Sequence, residues 1–477
     1  MQMMKLLARL PKKVRQKLPL LIVVVASLAY TIIFSLIALH RFWQYEAWYY
    51  DFGIFARAIY LASQFKEPVI DHFVVGGKSI FADHFHPIIL LLAPVFWFTS
   101  HAEVLLVIQA LTVGVSGIFI YLTAQAVLKN ITWSMCLMLV YFSFIGLHFA
   151  LISEFHEIAL LPLPLSIFFY AMVTKKIKLY VLATCLVLLV KESTFIIPAF
   201  FTFLEIIKSN GTWRKINIVL LLLSILYGIL AIKVVIPYFS QGEYQYSDQL
   251  NASAFEKVLD TPLKIKTIWQ TLASFGFLPL LAPELLLPVL FNWFTRFSAD
   301  SISRHGMALH YNAEVAPTLL LATIFALQRL KKYIKREGIV TTIVVVATLW
   351  SGYFSLIHLD SPIRLAILSD FYSHTQSFEF LDTLVAKVPK EGLVMTQTNL
   401  APRLIDRNIL MLRIEYEEFS PDWIVVDTRQ DQNANNFYGA TRPGASYPTE
   451  VFEKLDTDPN YEVYYQQGEQ IIYRKKN

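Results

Sequence analysis

Long apolar runs alternate with short polar segments between residues 20 and 357. A helix needs about 20 predominantly apolar residues to cross a bilayer, and about 17 are still enough. The pattern therefore predicts a mainly α-helical, polytopic membrane protein. We expect eleven crossing segments, some of them short, at about residues 20–39, 102–128, 131–150, 157–174, 179–190, 192–207, 216–238, 264–281, 283–296, 313–330 and 338–357. The apolar stretch 87–98 is only about a dozen residues long, so we expect it to enter one leaflet without crossing.

The pattern changes near Ser361. We expect a transmembrane domain over residues 1–360 and a small α/β domain over residues 361–477. Short apolar runs in the second part predict buried strands, and amphipathic stretches predict helices. The predicted strands lie at 393–396, 409–412 and 423–427, the helices at 375–387 and 448–456, and a terminal hairpin at 461–474. This part has no glycine-rich phosphate loop, so we do not expect it to bind a nucleotide.

Composition supports the membrane assignment. Of 477 residues, 56% are hydrophobic and only 16% are charged. The net charge of +5 comes from basic residues in short loops beside apolar runs, which orient membrane helices and do not indicate nucleic acid. The first 17 residues carry six Lys or Arg and no acid. They predict a cytoplasmic N-terminus followed by an uncleaved signal anchor.

Charge counting also predicts the topology in the plasma membrane. The loops at 175–178, 208–215 and 331–337 carry three, three and four basic residues. If all three are cytoplasmic, eleven crossings place residues 361–477 on the outer face. The same assignment gathers four polar loops on that face, at residues 43–87, 153–157, 239–262 and 297–312. Since these loops hold most of the acids and imidazoles near the membrane, we expect one functional site there.

The first outer loop, residues 43–87, contains the strongest candidate for a catalytic group. Residues 51–65 predict an amphipathic interfacial helix with Asp51 at its start. Asp51 therefore has two interpretations: it caps this helix through backbone N–H groups, or it acts as a general base. A capping carboxylate at a membrane surface can do both.

Asp83, His84 and His86 form a second cluster in the same loop. In an extended segment, residues two apart point the same way, so His84 and His86 are candidates to bind one phosphate or one metal. Two imidazoles with a carboxylate suit a divalent transition metal, the one cofactor candidate in this chain. Histidine at a membrane interface is also common as a simple hydrogen-bonding residue.

Three further segments supply candidates for substrate or phosphate binding. Glu154 and His156 lie in a very short turn, where Glu157 reads as an ordinary polar residue. Lys191 and Glu192 interrupt a long apolar run; neighbours in a helix do not face each other, so Lys191 should be able to meet a phosphate. The third segment contains Arg304, His310 and Tyr311, although a His-Tyr pair before a span is also typical of an interfacial aromatic belt.

These segments resemble a family of predicted bacterial and archaeal multi-pass membrane proteins of unassigned function. The family pattern has five boxes, here Asp51-Phe52-Gly53, Asp83 to Pro87, Glu154-Phe155-His156, Lys191-Glu192 and His310-Tyr311. A proline often follows the third box in that family, whereas this chain has Glu157. The family is in turn similar to the GT-C class of membrane glycosyltransferases, a likeness that rests on architecture.

The resemblance implies a function. GT-C enzymes use a polyprenyl-phosphate-linked sugar, and an acid in the first outer loop serves catalysis. Asp51 would be the base, Asp83 would support it, and the cationic groups would hold the departing phosphate of the donor for transfer to an unknown acceptor. The alternatives are a membrane transporter, which short proline-broken helices also characterise, and a lipid-binding protein without transferase activity. A transporter should place its ionisable residues within spans, and here only Lys191 and Glu192 fall inside one.

Overall fold

A computed structural model describes residues 12–70, 77–244, 254–430, 432–438 and 448–476. Most of the predicted cytoplasmic N-terminus, and parts of the polar loops 43–87 and 239–262, lie outside the described residues. The α-helices are α1 Lys12–Trp43, α2 Ile54–Ser63, α3 Val104–Leu128, α4 Ile131–Phe142, α5 Ile145–Ile152, α6 Pro162–Thr174, α7 Ile177–Val190, α8 Ile196–Lys208, α9 Gly211–Leu230, α10 Ile236–Ser240, α11 Ala254–Lys257, α12 Pro262–Ala273, α13 Leu287–Phe297, α14 Ala316–Tyr333, α15 Glu337–Tyr353, α16 Gln376–Lys387, α17 Tyr416–Phe419 and α18 Pro448–Thr457.

Six helical segments of the described chain are long and apolar enough to cross a membrane. They are Lys17–Trp43, Val104–Leu128, Glu157–Thr174, Gly211–Ser240, His310–Tyr333 and Glu337–His358. The helices α4 and α5 are bent by 47° against each other and form a seventh span if counted together. The fold is therefore a mainly helical membrane protein, as predicted, but eleven crossings are not confirmed.

The difference in count has a simple physical reason. The helices α7, α8, α12 and α13 are 14, 13, 12 and 11 residues long. At a rise of 1.5 Å per residue they reach roughly 17–21 Å, well short of a hydrocarbon core of about 30 Å. Hydropathy detects that a segment is apolar, but it does not show where a helix breaks.

Short helical turns shape the polar segments. The predicted helix at 51–65 is a π-helical turn, Tyr49–Gly53, followed by α2. The apolar stretch after His86 is an 11-residue 3₁₀ helix, Pro87–Trp97, and is short as predicted. Further 3₁₀ turns, Glu157–Leu160, Glu192–Phe195 and His310–Asn312, begin the segments that carry the other boxes.

The C-terminal part contains the small predicted sheet. Its strands are β3 Leu393–Thr396, β4 Asn408–Met411, β5 Trp423–Asp427, β6 Tyr461–Gln467 and β7 Gln470–Lys475, while β1 Val69–Ile70 and β2 Lys78–Ser79 form a separate two-stranded ribbon in the first loop. The sheet order is β4-β3-β5-β7-β6. The strands β3, β4 and β5 pair in parallel, and the hairpin β6–β7 adds to β5 antiparallel. The strands lie where the sequence predicts them.

The sheet is covered on both faces. Leu381 and Leu384 of α16 belong to one buried cluster, and Val451 and Leu455 of α18 belong to the other. The first cluster also contains Tyr45 and Tyr49, which come from the loop after α1. The segment that carries Asp51 therefore contributes to the core of the C-terminal sheet, which the sequence does not reveal.

Candidate functional site

The Asp51 turn is held from both sides by the C-terminal part. The backbone N–H of Tyr49 donates to the carbonyl of Thr398 over 2.9 Å, and the indole N–H of Trp48 donates to Asn436 Oδ1 over 2.9 Å. Gly53 closes the turn: a Cβ there would lie 2.5 Å from the Tyr49 ring. A larger residue would force Tyr49 to move, so glycine is the residue that permits this tight approach.

The carboxylate of Asp51 has no hydrogen bond or ion pair with any residue of the described chain. Asp51 does not cap a helix. The N-cap positions are Trp48 for the π turn and Gly53 for α2, and neither helix start accepts a side-chain cap hydrogen bond. Burial raises the pKa of Asp51, while His156 lowers it. A carboxylate that is partly desolvated and has no structural partner is a candidate for function.

Glu154 occupies a strained position beside this turn. Its φ is +87°, a left-handed conformation that few residues other than glycine adopt. The strain directs its carboxylate to the backbone N–H of Phe52, which donates to Oε2 over 3.1 Å. Burial and the neighbouring Asp51 raise the pKa of Glu154 well above its usual value. Glu154 and His156 line different cavities, and the backbone between them turns at Glu154.

Glu157 is the centre of a buried ion-pair network. Its side chain is fully buried and lies 2.6 Å from His156 Nδ1 and 3.2 Å from Lys191 Nζ. The ammonium group of Lys191 therefore has a protein partner, Glu157, and its expected contact with a phosphate stays a prediction. The extended backbone at Lys191 ends α7 and brings this side chain back toward the site.

Glu192 turns to a different set of partners from its neighbour. Its Oε1 lies 2.8 Å from His84 Nδ1 and accepts from the Tyr244 hydroxyl over 2.9 Å. Its Oε2 accepts from the backbone N–H of Phe85 over 3.0 Å. Glu192 is fully buried and fixes the second box of the first loop against the segment between α7 and α8. Its role in the geometry is to hold His84.

His86 is buried against aromatic rings. The ring centroids of Phe55 and Phe81 lie 5.4 and 5.8 Å from that of His86. Neither ring nitrogen has a hydrogen-bond partner among the described residues. Burial lowers the pKa of His86 to about 4, so the imidazole is neutral at physiological pH. It is available to bind a ligand in the cavity that it lines.

The late His-Tyr box joins the third box directly. The rings of His156 and His310 stack with centroids 3.5 Å apart. The guanidinium of Arg304 lies 5.7 Å from the centroid of the Tyr311 ring. His310 is buried, so it is part of the site and does not belong to an exposed aromatic belt.

The loop before this box is anchored by Arg296. This buried guanidinium donates to the carbonyls of Arg304 and Gly306 and to Asn312 Oδ1, over 3.0, 2.8 and 2.9 Å. Three bonds to one loop fix the position of Arg304. Arg296 was not among the sequence candidates.

Three adjoining cavities meet at the site. A central cavity of about 330 Å³ is lined by Tyr50, Asp51, Ile54, Phe55, Ile70, Ile80, Asp83, His84, His86, His156, Lys191, Arg304, His310 and Tyr311. A cationic cavity of about 270 Å³ is lined by His84, Ile158, Lys191, Glu192, Ser193, Phe195, Ile232, Tyr244, Phe291, Asn292, Thr295, Arg296, Arg304, His310, Tyr311 and Glu314. An acidic cavity of about 390 Å³ is lined by Arg41, Trp48, Tyr50, Asp51, Phe149, Ile152, Ser153, Glu154, Ala308, Leu309 and Asn435.

The structure thus brings all eleven sequence candidates together. Nine of them line the central cavity, Glu192 lines the cationic cavity and Glu154 lines the acidic cavity. Within the described residues, no group of three or more His, Cys, Asp or Glu side chains is arranged to hold a metal ion. The metal proposed for Asp83, His84 and His86 therefore stays a prediction.

Sequence reasoning missed Glu157 and the C-terminal contribution. Glu157 was set aside as an ordinary polar turn residue. A signal was present, because an acid directly beside an imidazole at the start of an apolar span is costly unless it is paired. No comparable signal marks Thr398 or Asn436, whose contacts with the first loop span more than 340 residues of sequence.

The chain belongs to the family described as "Predicted membrane protein (DUF2079)", whose model matches residues 41–471. This range includes the five boxes and most of the C-terminal sheet, since only strand β7 extends beyond residue 471. It confirms the expected membrane protein and its membrane localisation; it does not extend to the likeness with the GT-C class. No curated protein matches the chain.

Proposed function

We propose that this member of the DUF2079 family is a membrane glycosyltransferase. In this proposal it transfers a sugar from a polyprenyl-phosphate-linked donor to an acceptor hydroxyl at the outer face of the membrane. One observation carries the proposal: Asp51, without a partner in the described chain, faces a cavity that also contains Lys191 and Arg304. A base and cations in one enclosed space are what glycosyl transfer from a phosphate requires.

The reaction balances with the groups present. Asp51 accepts the proton of the acceptor hydroxyl, and the oxygen forms a bond to the anomeric carbon of the sugar. The bond between that carbon and the phosphate oxygen breaks, and the lipid phosphate leaves with the electron pair. The raised pKa of Asp51 supports this role, because a general base works best when its pKa approaches the working pH.

The cationic groups suit the departing phosphate. The phosphodiester donor carries one negative charge and the released phosphate carries nearly two. Lys191 and Arg304 line both the central and the cationic cavity, so they can follow the phosphate as this charge develops. The pairing of Lys191 with Glu157 holds the ammonium group at a defined position before the donor arrives. Such preorganised charge is generally the largest contribution to catalysis.

The cationic cavity also suits the lipid part of the donor. Ile158, Phe195, Ile232 and Phe291 supply apolar lining beside the charged groups. Ile232 lies in the long segment Gly211–Ser240, only 22% of whose most apolar window is buried inside the protein. A prenyl chain can therefore run from this cavity along a lipid-facing surface while its phosphate stays at Lys191.

The test compares wild type with Asp51→Asn in purified, membrane-reconstituted protein. Asparagine keeps the size of the side chain but cannot accept the proton, and loss of a base typically costs about 10²–10⁴ in rate. We expect the variant to fold normally and to stop releasing polyprenyl phosphate from a panel of polyprenyl-phosphate hexoses. An active Asp51→Asn protein would exclude Asp51 as the base. A folded wild type that moves solutes across the membrane but releases no polyprenyl phosphate would instead show a transporter.

A further inference from the structure

We infer that the acidic cavity binds the acceptor of the reaction and that this acceptor is a neutral, carbohydrate-like polyol. The inference rests on the proposed function and identifies the chemical class of the acceptor, which that function does not specify.

The geometry separates two substrates on either side of one residue. Asp51 and Tyr50 line both the central and the acidic cavity, and no other described residue does. Lys191 and Arg304, which suit the donor phosphate, line the central and cationic cavities and are absent from the acidic one. A hydroxyl that enters through the acidic cavity therefore reaches Asp51 along a wall that contains neither Lys191 nor Arg304.

Charge distinguishes the two sides. The described lining of the acidic cavity has the carboxyl groups of Asp51 and Glu154 and a single cation, Arg41. That guanidinium is already engaged, since Nε of Arg41 donates to Glu46 over 3.0 Å and Nη1 donates to the carbonyl of Ile152. An anionic acceptor would face the Asp51 carboxylate at close range, and the described lining residues leave no unengaged cation to compensate that charge. This is unfavourable in a site of low dielectric constant.

The remaining lining favours a polyol. Carboxylates and amides accept hydrogen bonds from hydroxyl groups, and Glu154 and Asn435 supply them here. The rings of Trp48 and Tyr50 offer flat apolar surfaces with polar edges, which suit the C–H faces of a sugar. Asn435 comes from the C-terminal part, so that part completes the acceptor site as well as holding the Asp51 turn.

The experiment measures binding of small sugar probes to the full chain in lipid nanodiscs by saturation-transfer NMR. The probes are methyl glucoside, methyl mannoside and methyl galactoside, with glucose 6-phosphate as the anionic probe. Asn435→Trp fills the cavity from an exposed position, and Ala434→Trp is its matched control because Ala434 is exposed and does not line the cavity. Ser153→Leu, at another residue that lines the cavity, is a second blocking variant. Binding of polyprenyl phosphate is measured in parallel on each protein.

We expect at least one methyl glycoside to bind wild type and Ala434→Trp, with the signal lost in both blocking variants and glucose 6-phosphate giving a weaker signal. Polyprenyl phosphate should bind all four proteins. Glycoside signals that persist in both blocking variants, equal signals for glucose 6-phosphate, or no glycoside signal at all would overturn the acceptor assignment while leaving the donor intact. Failure of wild type to bind polyprenyl phosphate would instead overturn the proposed function.

Discussion

The backbone N–H of Tyr49 donates to the carbonyl of Thr398 over 2.9 Å and thereby ties the Asp51 turn to the chain that follows strand β3. Tyr49 is fully buried in the same cluster as Leu381 and Val425. The C-terminal sheet is therefore a support of the site and not an appendage. Four predictions follow from this support and from the charges around the central cavity.

The first prediction concerns Arg403. Its guanidinium lies 3.5 Å from the centroid of the Tyr45 ring and 4.1 Å from that of Phe42, and it donates to the Phe42 carbonyl. Arg403→Leu removes these contacts, and desolvated cation–π contacts contribute about 2 kcal/mol. We expect a lower unfolding temperature and a lower kcat with an unchanged donor KM, because the Asp51 turn loses its support while the donor site is intact. Arg474→Leu, at an exposed position, is the control. A reduced donor affinity in Arg403→Leu would contradict a purely positioning role.

The second prediction concerns Lys191. Lys191→Met keeps the apolar stem but removes the charge that we assign to the donor phosphate. A hydrogen bond to a charged group contributes about 1.5–3 kcal/mol, so donor affinity should fall by roughly ten- to a hundredfold, together with the rate. Lys176→Met, an exposed lysine beside Tyr170, should change neither. Titration with a polyprenyl phosphate measures the affinity, and an unchanged value would remove Lys191 from the phosphate site.

The third prediction concerns Glu157. Glu157→Gln keeps the size of the side chain but leaves Lys191 and His156 without their shared carboxylate. Breaking a buried ion pair typically costs about 3–5 kcal/mol, so we expect a large drop in the free energy of unfolding and weaker donor binding. Glu103→Gln disrupts the pair of Glu103 with the exposed His101, 3.4 Å apart, and should cost less than about 1 kcal/mol. Denaturation at neutral pH measures the free energy of unfolding of both variants. An equal free energy of unfolding for Glu157→Gln and Glu103→Gln would show that Glu157 is not buried as an ion.

The fourth prediction concerns pH. The pKa of His86 is about 4 in the folded protein and about 6.5 when unfolded. The unfolded chain therefore binds more protons than the folded chain between these pH values. The contribution of neutral His86 to the free energy of unfolding is present above pH 6.5 and is lost as the pH falls toward 4. The loss is at most about 3 kcal/mol. His86→Phe removes this pH-dependent loss. At neutral pH the variant should be at least as stable as the wild type, because two unpartnered ring nitrogens disappear.

Unfolding temperatures measured from pH 7 to pH 4.5 check this prediction. The wild type should lose stability more steeply than His86→Phe, while His101→Phe, which changes an exposed ring, should follow the wild type. Parallel curves for wild type and His86→Phe would show that His86 is not buried in the neutral form.

The sequence by itself determined the class of protein, the strands of the small sheet and the chemical groups of the site. These depend on local patterns, since the apolar length of a span, the alternation of a strand and the identity of the ionisable residues can be read within a few residues. The gathering of Asp51, His156 and His310 was anticipated because the loops that hold them were expected on one face, whereas Lys191 was expected inside an apolar run. The eleven expected crossings are not confirmed, because hydropathy does not show that the helices α7 and α8 end after only 14 and 13 residues.

Only the tertiary structure decided which residues of the site contact one another. The strained φ of Glu154 sends its carboxylate to one cavity and His156 to another, which no spacing rule anticipates. Glu157 became a central residue only because folding brings Lys191 to within 3.2 Å of it. The bond from Tyr49 to Thr398 joins positions far apart in the chain. Such contacts depend on how rigid segments pack in three dimensions, and the local sequence carries no record of that packing.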